Sequence, residues 1–184
     1  MSFRKEKKFK LNKSELKFLK SSLIKDGMSE LYPKRIISSC YFDTLNLKIF
    51  HDSEEGILPR KKIRLRWYGD QEEVNKEIKI SSIEGRFKQI NKISIDEFKN
   101  LKNYKIFDND YGILRPTLII KYEREYFSFN NLRLTFDTNI SYKNMVSIIQ
   151  PVFIDTDNVM EIKTSISVSD DYLDKFIPIQ TSRF

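Results

Sequence analysis

Apolar and polar residues alternate strictly along Lys61 to Ile80, KKIRLRWYGDQEEVNKEIKI. Ile63, Leu65 and Trp67 fall between Lys62, Arg64, Arg66 and Tyr68, and further on Ile78 and Ile80 alternate with Glu77 and Lys79. A period of two sends successive side chains to opposite faces, so this stretch predicts two strands joined around Gly69-Asp70. The polar slots hold paired arginines and Glu-x-Lys where a solvated face carries Ser, Thr and Gln. The arrangement recurs with Arg4, Glu6 and Lys8 in FRKEKKF and with Tyr122, Arg124 and Tyr126 in LIIKYEREYF. It recurs again with Arg133, Thr135 and Asp137 in LRLTFD and with Glu161 and Lys163 in MEIK.

The remaining elements follow from the same reading. A first strand runs from Phe3 to Leu11. A helix then runs from Asn12 or Ser14 to Lys25, with Ser14 as N-cap, an apolar stripe of Leu16, Phe18, Leu19 and Leu23, and Gly27 ending it. Arg35 to Phe42 is a second strand, Asp43-Thr44 opens a helical turn over Leu45 to Phe50, and His51 lies in a polar loop, HDSEEG, as a solvated side chain. A short strand is predicted at Gly85 to Lys88. A second helix from Ser94 to Asn103 has a capping box of Ser94 and Glu97 and a stripe of Ile95, Phe98 and Leu101. After a loop over Asp108 to Gly112, a long strand from Leu118 to Phe129 turns at Asn130-Asn131 into one ending at Asp137-Thr138. Ser141 to Asp157 reads as irregular with a short hairpin, Val159 to Ser165 as the last strand, and Asp170 to Phe176 as a closing helix.

Eight antiparallel strands suffice to close a barrel. Amphipathic helices need an apolar sheet surface beneath them, so the apolar strand faces are expected under the helices and the charged faces in the lumen. The expected fold is α+β, mainly β: one domain over residues 1–184, an eight-stranded antiparallel tunnel with a polar basic lumen flanked by a few helices. Its lumen would hold Lys8, Arg64, Arg66, Lys79, Lys88, Arg124, Arg133 and Lys163 against Glu6, Glu77, Asp137 and Glu161. Unpaired like charges out of water are costly, so such a lumen suits an extended polyanion. Arg64 and Arg66, about 7 Å apart on one face, match neighbouring phosphates. The carboxylates have a separate use as oxygen ligands for a divalent cation, Glu161 first, with Glu6 and Asp137 behind it. Glu77 and Lys79 read most simply as cross-strand charge partners, and Lys62, Lys121 and Glu123 as solvated.

Charge supports an anionic partner without naming one: 33 Lys and Arg against 26 Asp and Glu give a formal +7. The 14 Phe and nine Tyr supply core bulk. Cys40 is the one cysteine, which excludes a disulfide framework and a cysteine metal cage. No signal segment or membrane-length apolar run is visible, so a cytoplasmic protein is expected. Gly-rich phosphate loops, HExxH and a Ser/His/Asp set are absent from the sequence, so any phosphate is held by basic side chains.

In order and spacing, FRKEKKF, SSCYFDT, IRLRWYG, EIK, GRFK, RPTLIIKYEREYF, LRLTFDTNI and MEIKTS resemble the VTC domain, the polyphosphate polymerase domain of the triphosphate tunnel metalloenzyme (CYTH-like) superfamily. The resemblance implies a tunnel enzyme using Mn²⁺ or Mg²⁺ that moves the γ-phosphate of ATP onto a growing polyphosphate chain. It makes Lys8, Arg64, Arg66, Lys79, Lys88, Arg124 and Arg133 phosphate ligands, adds Tyr122, and makes Glu161 the metal ligand. Lys163 joins the phosphate contacts through its place on the charged face. Arg64, Arg66, Lys79, Arg124 and Arg133 would be the catalytic cations. Relatives of this kind continue past a segment like Ser182-Arg183-Phe184 with a Ser-Lys pair, so the chain reads as shortened at its C-terminus, and some carry a His where this chain has Ser81. The implied partners are ATP and inorganic polyphosphate or triphosphate, with any membrane part on a separate chain that would hold the protein at a membrane periphery, and no nucleic acid. Two other functions remain open: a tripolyphosphate or nucleoside triphosphate hydrolase on the same fold, and a non-catalytic polyanion-binding module. The single Glu6 in the first strand favours the transferase over the hydrolase. Aromatic residues on the apolar faces speak against nucleic-acid stacking.

Overall fold

The computed structural model describes residues 4–69, 73–94 and 98–177. Ten strands carry it: β1 (Arg4–Leu11), β2 (Ser29–Asp43), β3 (Arg60–Tyr68), β4 (Val74–Ser82), β5 (Gly85–Ile93), β6 (Ile106–Asp108), β7 (Gly112–Phe129), β8 (Leu132–Asn144), β9 (Val152–Ile154) and β10 (Asn158–Ser165). The helices are α1 (Lys13–Lys25), α2 (Lys48–Glu54) and α3 (Asp170–Phe176). The sheet is antiparallel, with strand order β1-β10-β8-β7-β2-β3-β4-β5; β6 pairs with β7 and β9 with β8. This is the mainly β, eight-strand pattern that the alternation predicts.

The chain divides into two compact units. The first comprises residues 4–36, 122–140 and 154–177, the second 37–121 and 141–153. In the first, the apolar faces of β1, β10, β8 and β7 pack beneath α1 and α3: Phe9, Leu11, Phe129, Leu134, Phe136, Met160 and Ile162 meet Leu19, Leu23 and Leu173. In the second, Cys40, Phe42, Ile63, Leu65, Val74 and Leu114 pack with Ile49 of α2. Each unit thus covers its apolar sheet face, and the charged residues of the alternating strands lie on the other.

Several boundaries differ from the sequence reading. Asn12, not Ser14, caps α1: its side chain accepts from the Ser14 and Glu15 amides at 2.9 Å, and the Glu15 carboxylate accepts from the Asn12 amide at 2.8 Å. This capping box leaves Ser14 inside the first turn. Replacing Asn12 with alanine is expected to lower stability by about 1 kcal/mol, read from the denaturation midpoint. At the other end Gly27 takes φ +102°, and the Gly27 and Met28 amides donate to the Ile24 and Leu23 carbonyls, a Schellman closure that seats Met28 in the core. Phe18 does not join the apolar stripe; it is 79% exposed, because it projects one residue to the side of Leu19.

His51 belongs to α2, not to a loop. The buried Asp43 starts that helix, its carboxylate accepting from the Thr44, Ile49 and Phe50 amides. Asn130 and Asn131 both take positive φ, as a two-residue hairpin between right-twisted strands requires. β2 and β5 run longer than predicted, since their added residues are largely exposed, and β7 gains Gly112 to Thr117, where Leu114 and Pro116 are buried between the exposed Ile113 and Arg115. Ile95 and Glu97 of the predicted second helix and Asp70 of the β3–β4 turn lie outside the described residues, as do Phe3 and Ser182 to Phe184. Leu101–Asn103 forms a 3₁₀ turn.

Candidate functional site

Register decides which charged side chains meet, and it gathers them into one group in each unit. In the second unit Tyr41 lies opposite Arg64, which lies opposite Glu77; Ser39 lies opposite Arg66 and Lys79 opposite Lys88. Arg64 donates from Nε to Glu77 Oε2 at 2.7 Å and from Nη1 to the Tyr41 hydroxyl at 2.9 Å. Arg66 donates to Ser39 Oγ at 3.0 Å, and Lys88 to Glu77 Oε1 at 2.8 Å. One buried carboxylate therefore organises two guanidiniums and an ammonium while leaving the group strongly positive. Burial pushes the Glu77 carboxyl up, but Lys88, Arg64 and Arg66 outweigh it and bring its pKa from 4.5 down to about 2. Glu77 is thus a cross-strand charge partner, as the alternation suggests, and it holds Arg64 and Lys88.

The sign of its pH dependence follows. A depressed carboxylate contributes stability that is complete above its unfolded pKa and is lost as pH falls through the folded one. The drop from 4.5 to about 2 is worth about 3 kcal/mol. The stability difference between the wild type and Glu77→Gln is expected to be constant above pH 5 and to shrink between pH 4.5 and 2, read by denaturant titration at each pH.

In the first unit β1, β10 and β8 bring two rows together. Lys8 lies opposite Glu161, itself opposite Thr135; Glu6 lies opposite Lys163, itself opposite Arg133. Asp137 holds Arg124 with both oxygens, accepting from Nε at 2.5 Å and Nη2 at 2.6 Å. Burial works against the Arg124 charge, yet the hydrogen bonds and charge of Asp137 outweigh it and raise the arginine pKa. The Arg124 guanidinium also lies 5.1 Å over the Tyr122 ring, and Arg133 stands 5.7 Å from each of the Tyr32 and Tyr126 rings. Lys163 pairs with Glu6 at 3.1 Å.

Glu161 differs from the other carboxylates. It is 7% exposed, yet its nearest cations, Lys163 and Arg124, stand at 3.5 and 3.7 Å, beyond good hydrogen-bond geometry. A buried carboxylate with such loose partners fits a hard divalent cation, which takes one or two protein oxygens and completes its shell with water and phosphate. Glu6 and Asp137 are already bound to Lys163 and Arg124. No cluster of three or more His, Cys, Asp or Glu occurs among the described residues.

The first unit thus unites Glu6, Lys8, Tyr122, Arg124, Arg133, Asp137, Glu161 and Lys163, and the second Arg64, Arg66, Lys79 and Lys88. Sequence reasoning missed Ser39, Tyr41 and Tyr32. Ser39 and Tyr41 alternate with Cys40 and Phe42, which is a readable signal; Tyr32 follows no alternation.

Comparison with known proteins bears on the family and the fold. The VTC domain profile matches residues 3–175. No curated protein matches. Among solved structures, a proposed adenylate cyclase from Bacillus halodurans superposes with a TM-score of 0.62 at 15% identity, covering 98% of this chain and 94% of that one. A proposed adenylyl cyclase from Hippeastrum, described as having a dominant triphosphatase activity, superposes with a TM-score of 0.56 at 11% identity, covering 96% and 85%. A conserved protein from Pyrococcus furiosus gives 0.56 at 14% identity, covering 97% and 92%. At these identities the likeness is one of fold. The family match is what assigns the sequence: over nearly its whole length, this chain belongs to the VTC domain family.

Proposed function

We propose that the protein is a metal-dependent polyphosphate polymerase that transfers the γ-phosphate of ATP to a growing inorganic polyphosphate chain. The observation that carries this reading is the set of cations held by the buried Glu77, Ser39 and Asp137 and the half-buried Tyr41: Arg64 and Arg66 by Glu77, Tyr41 and Ser39, and Arg124 by Asp137. Each guanidinium keeps N–H donors for phosphate oxygens while its orientation is fixed, which is the preorganisation phosphoryl transfer needs.

Arg64, Arg66, Lys79 and Lys88 take the phosphates of the polyanion. In the first unit, Lys8, Arg124, Arg133 and Lys163 offset phosphate charge, and the Tyr122 hydroxyl donates a hydrogen bond to a phosphate oxygen. A divalent cation at Glu161 supplies Lewis-acid neutralisation of phosphate oxygens. The terminal phosphate oxygen of the chain forms a new bond to the γ-phosphorus in line as the bond to the β–γ bridging oxygen breaks. ADP leaves with that electron pair, and no protein nucleophile is required. Mn²⁺ or Mg²⁺ suits the oxygen ligand.

The second reading is triphosphate hydrolysis, as described for the Hippeastrum protein of this fold. Against it, β1 offers one carboxylate on the charged face, Glu6, and Lys163 already binds it. Incubation of the purified protein with ATP and Mn²⁺ separates the two. Polymer on a gel that disappears in Arg64→Ala is the expected result. Orthophosphate without polymer would move the protein to the hydrolases, and neither product with retained polyphosphate binding would leave a binding module.

A further inference from the structure

The charged face of β3, β4 and β5 carries further cations beside and beyond Lys79 and Lys88. One row beyond Arg64–Glu77, Lys62 lies opposite Lys79, which lies opposite Lys88. A row further, Arg60 lies opposite Ser81, itself opposite Arg86. These two rows hold five cations and no carboxylate. Directly opposed like charges destabilise an antiparallel sheet. The acid of the adjacent row, Glu77, is already engaged by Arg64 and Lys88.

Lys62 belongs to this face and not the other. Its neighbour Lys61 reaches the opposite side, to Asp108 at 2.9 Å and Asp110 at 2.6 Å, and Ile63 is buried in the core. Burial raises the Tyr41 phenol, but Arg64, Arg66 and Lys62 together bring it below its ordinary value, so the Lys62 charge is felt on the Tyr41–Arg64 side. Lys62 and Arg86 are exposed; Arg60 is half-buried, with one guanidinium nitrogen 3.4 Å from the Ile57 carbonyl.

We infer that Lys62, Arg60 and Arg86 form an outer phosphate lane that holds the part of a linear polyphosphate extending past Arg64. Rows two residues apart are about 7 Å from one another, so the lane adds about 14 Å. A triphosphate gripped at Arg64 and Arg66 ends before the last row; a long chain does not. The lane selects for chain length, and it rests on the polyphosphate reading of this face.

The test compares Lys62→Gln/Arg86→Gln with wild type, measuring affinity for inorganic tripolyphosphate and for long-chain polyphosphate by calorimetry. Lys13→Gln/Lys17→Gln, on an exposed part of α1, removes the same charge elsewhere. The lane variant is expected to bind long chains about tenfold more weakly and tripolyphosphate within twofold of wild type. The α1 variant is expected to match wild type on both. Unchanged long-chain affinity, an equal loss for both ligands, or an equal loss in the α1 variant overturns the lane while leaving the polymerase reading intact. A wild type that binds neither ligand overturns both.

Discussion

Arg124→Ala is expected to destabilise the protein by about 3–5 kcal/mol, the cost of removing one partner from a buried ion pair. Asp137 is 7% exposed, and both its oxygens are occupied by Arg124, at 2.5 and 2.6 Å. Without the guanidinium, a buried carboxylate faces Glu161 across the same strands with its best donor gone. The measurement is the denaturation midpoint at neutral pH with the denaturant slope unchanged. Burial and Glu161 both push the Asp137 carboxyl up, so in the variant it takes a proton more readily. A carboxyl whose folded pKa is raised loses stability as pH rises, so the deficit should be largest at neutral pH and smaller near pH 4. Arg124→Met/Asp137→Leu, which removes both charges, should recover most of the loss. A single-variant deficit below about 1 kcal/mol would mean that the pair is no more than a surface ion pair.

That pair shows what the sequence could and could not convey. Alternation in LRLTFD and KYEREYF places Asp137 and Arg124 on charged strand faces, so the faces are legible from period alone. Who touches whom depends on register, which single-strand periodicity does not encode. Asp137 therefore reads as a metal ligand in the sequence and as the holder of Arg124 in the structure. Glu77 reads as a cross-strand charge partner, and the structure names its partners, Arg64 and Lys88 on the flanking strands. Lys62 reads as solvated and is exposed, and only the register adds that Lys79 and Lys88 share its row. Helix signals fail where two caps compete: Asn12 and Ser14 both suit an N-cap, and Glu15, three residues after Asn12, decides between them. The apolar faces needed no register. Helices and strands bury whatever side is continuous, so Leu19, Leu23, Phe9 and Phe136 were assignable in advance.

The buried carboxylates divide the work on the charged faces. Glu77, engaged by Arg64 and Lys88, and Asp137, engaged by Arg124, fix where the guanidinium forks point, which a basic strand could not do by itself since its cations repel. Such holders lower the net charge only slightly, so each face remains attractive to a polyanion. A third carboxylate with loose contacts is then unexplained as a holder, and Glu161 is that residue.

Glu161→Gln should therefore lower metal-dependent turnover by two to three orders of magnitude, roughly the effect of losing one preorganised electrostatic contact at a transferring group. The change is isosteric, and the cations at 3.5 and 3.7 Å are not tightly hydrogen-bonded to it, so stability should stay within about 1 kcal/mol of wild type. Metal-free affinity for tripolyphosphate should hold or rise, because a negative charge leaves the site. Raising Mn²⁺ should restore part of the activity if water or phosphate completes the coordination shell. Phosphate binding kept and turnover lost is the signature of a metal ligand. Phosphate binding and turnover lost together would make Glu161 a holder of Lys163 and Arg124, like Glu77 and Asp137, and would return the metal to Glu6. Full turnover at wild-type Mn²⁺ would remove the metal from this carboxylate altogether.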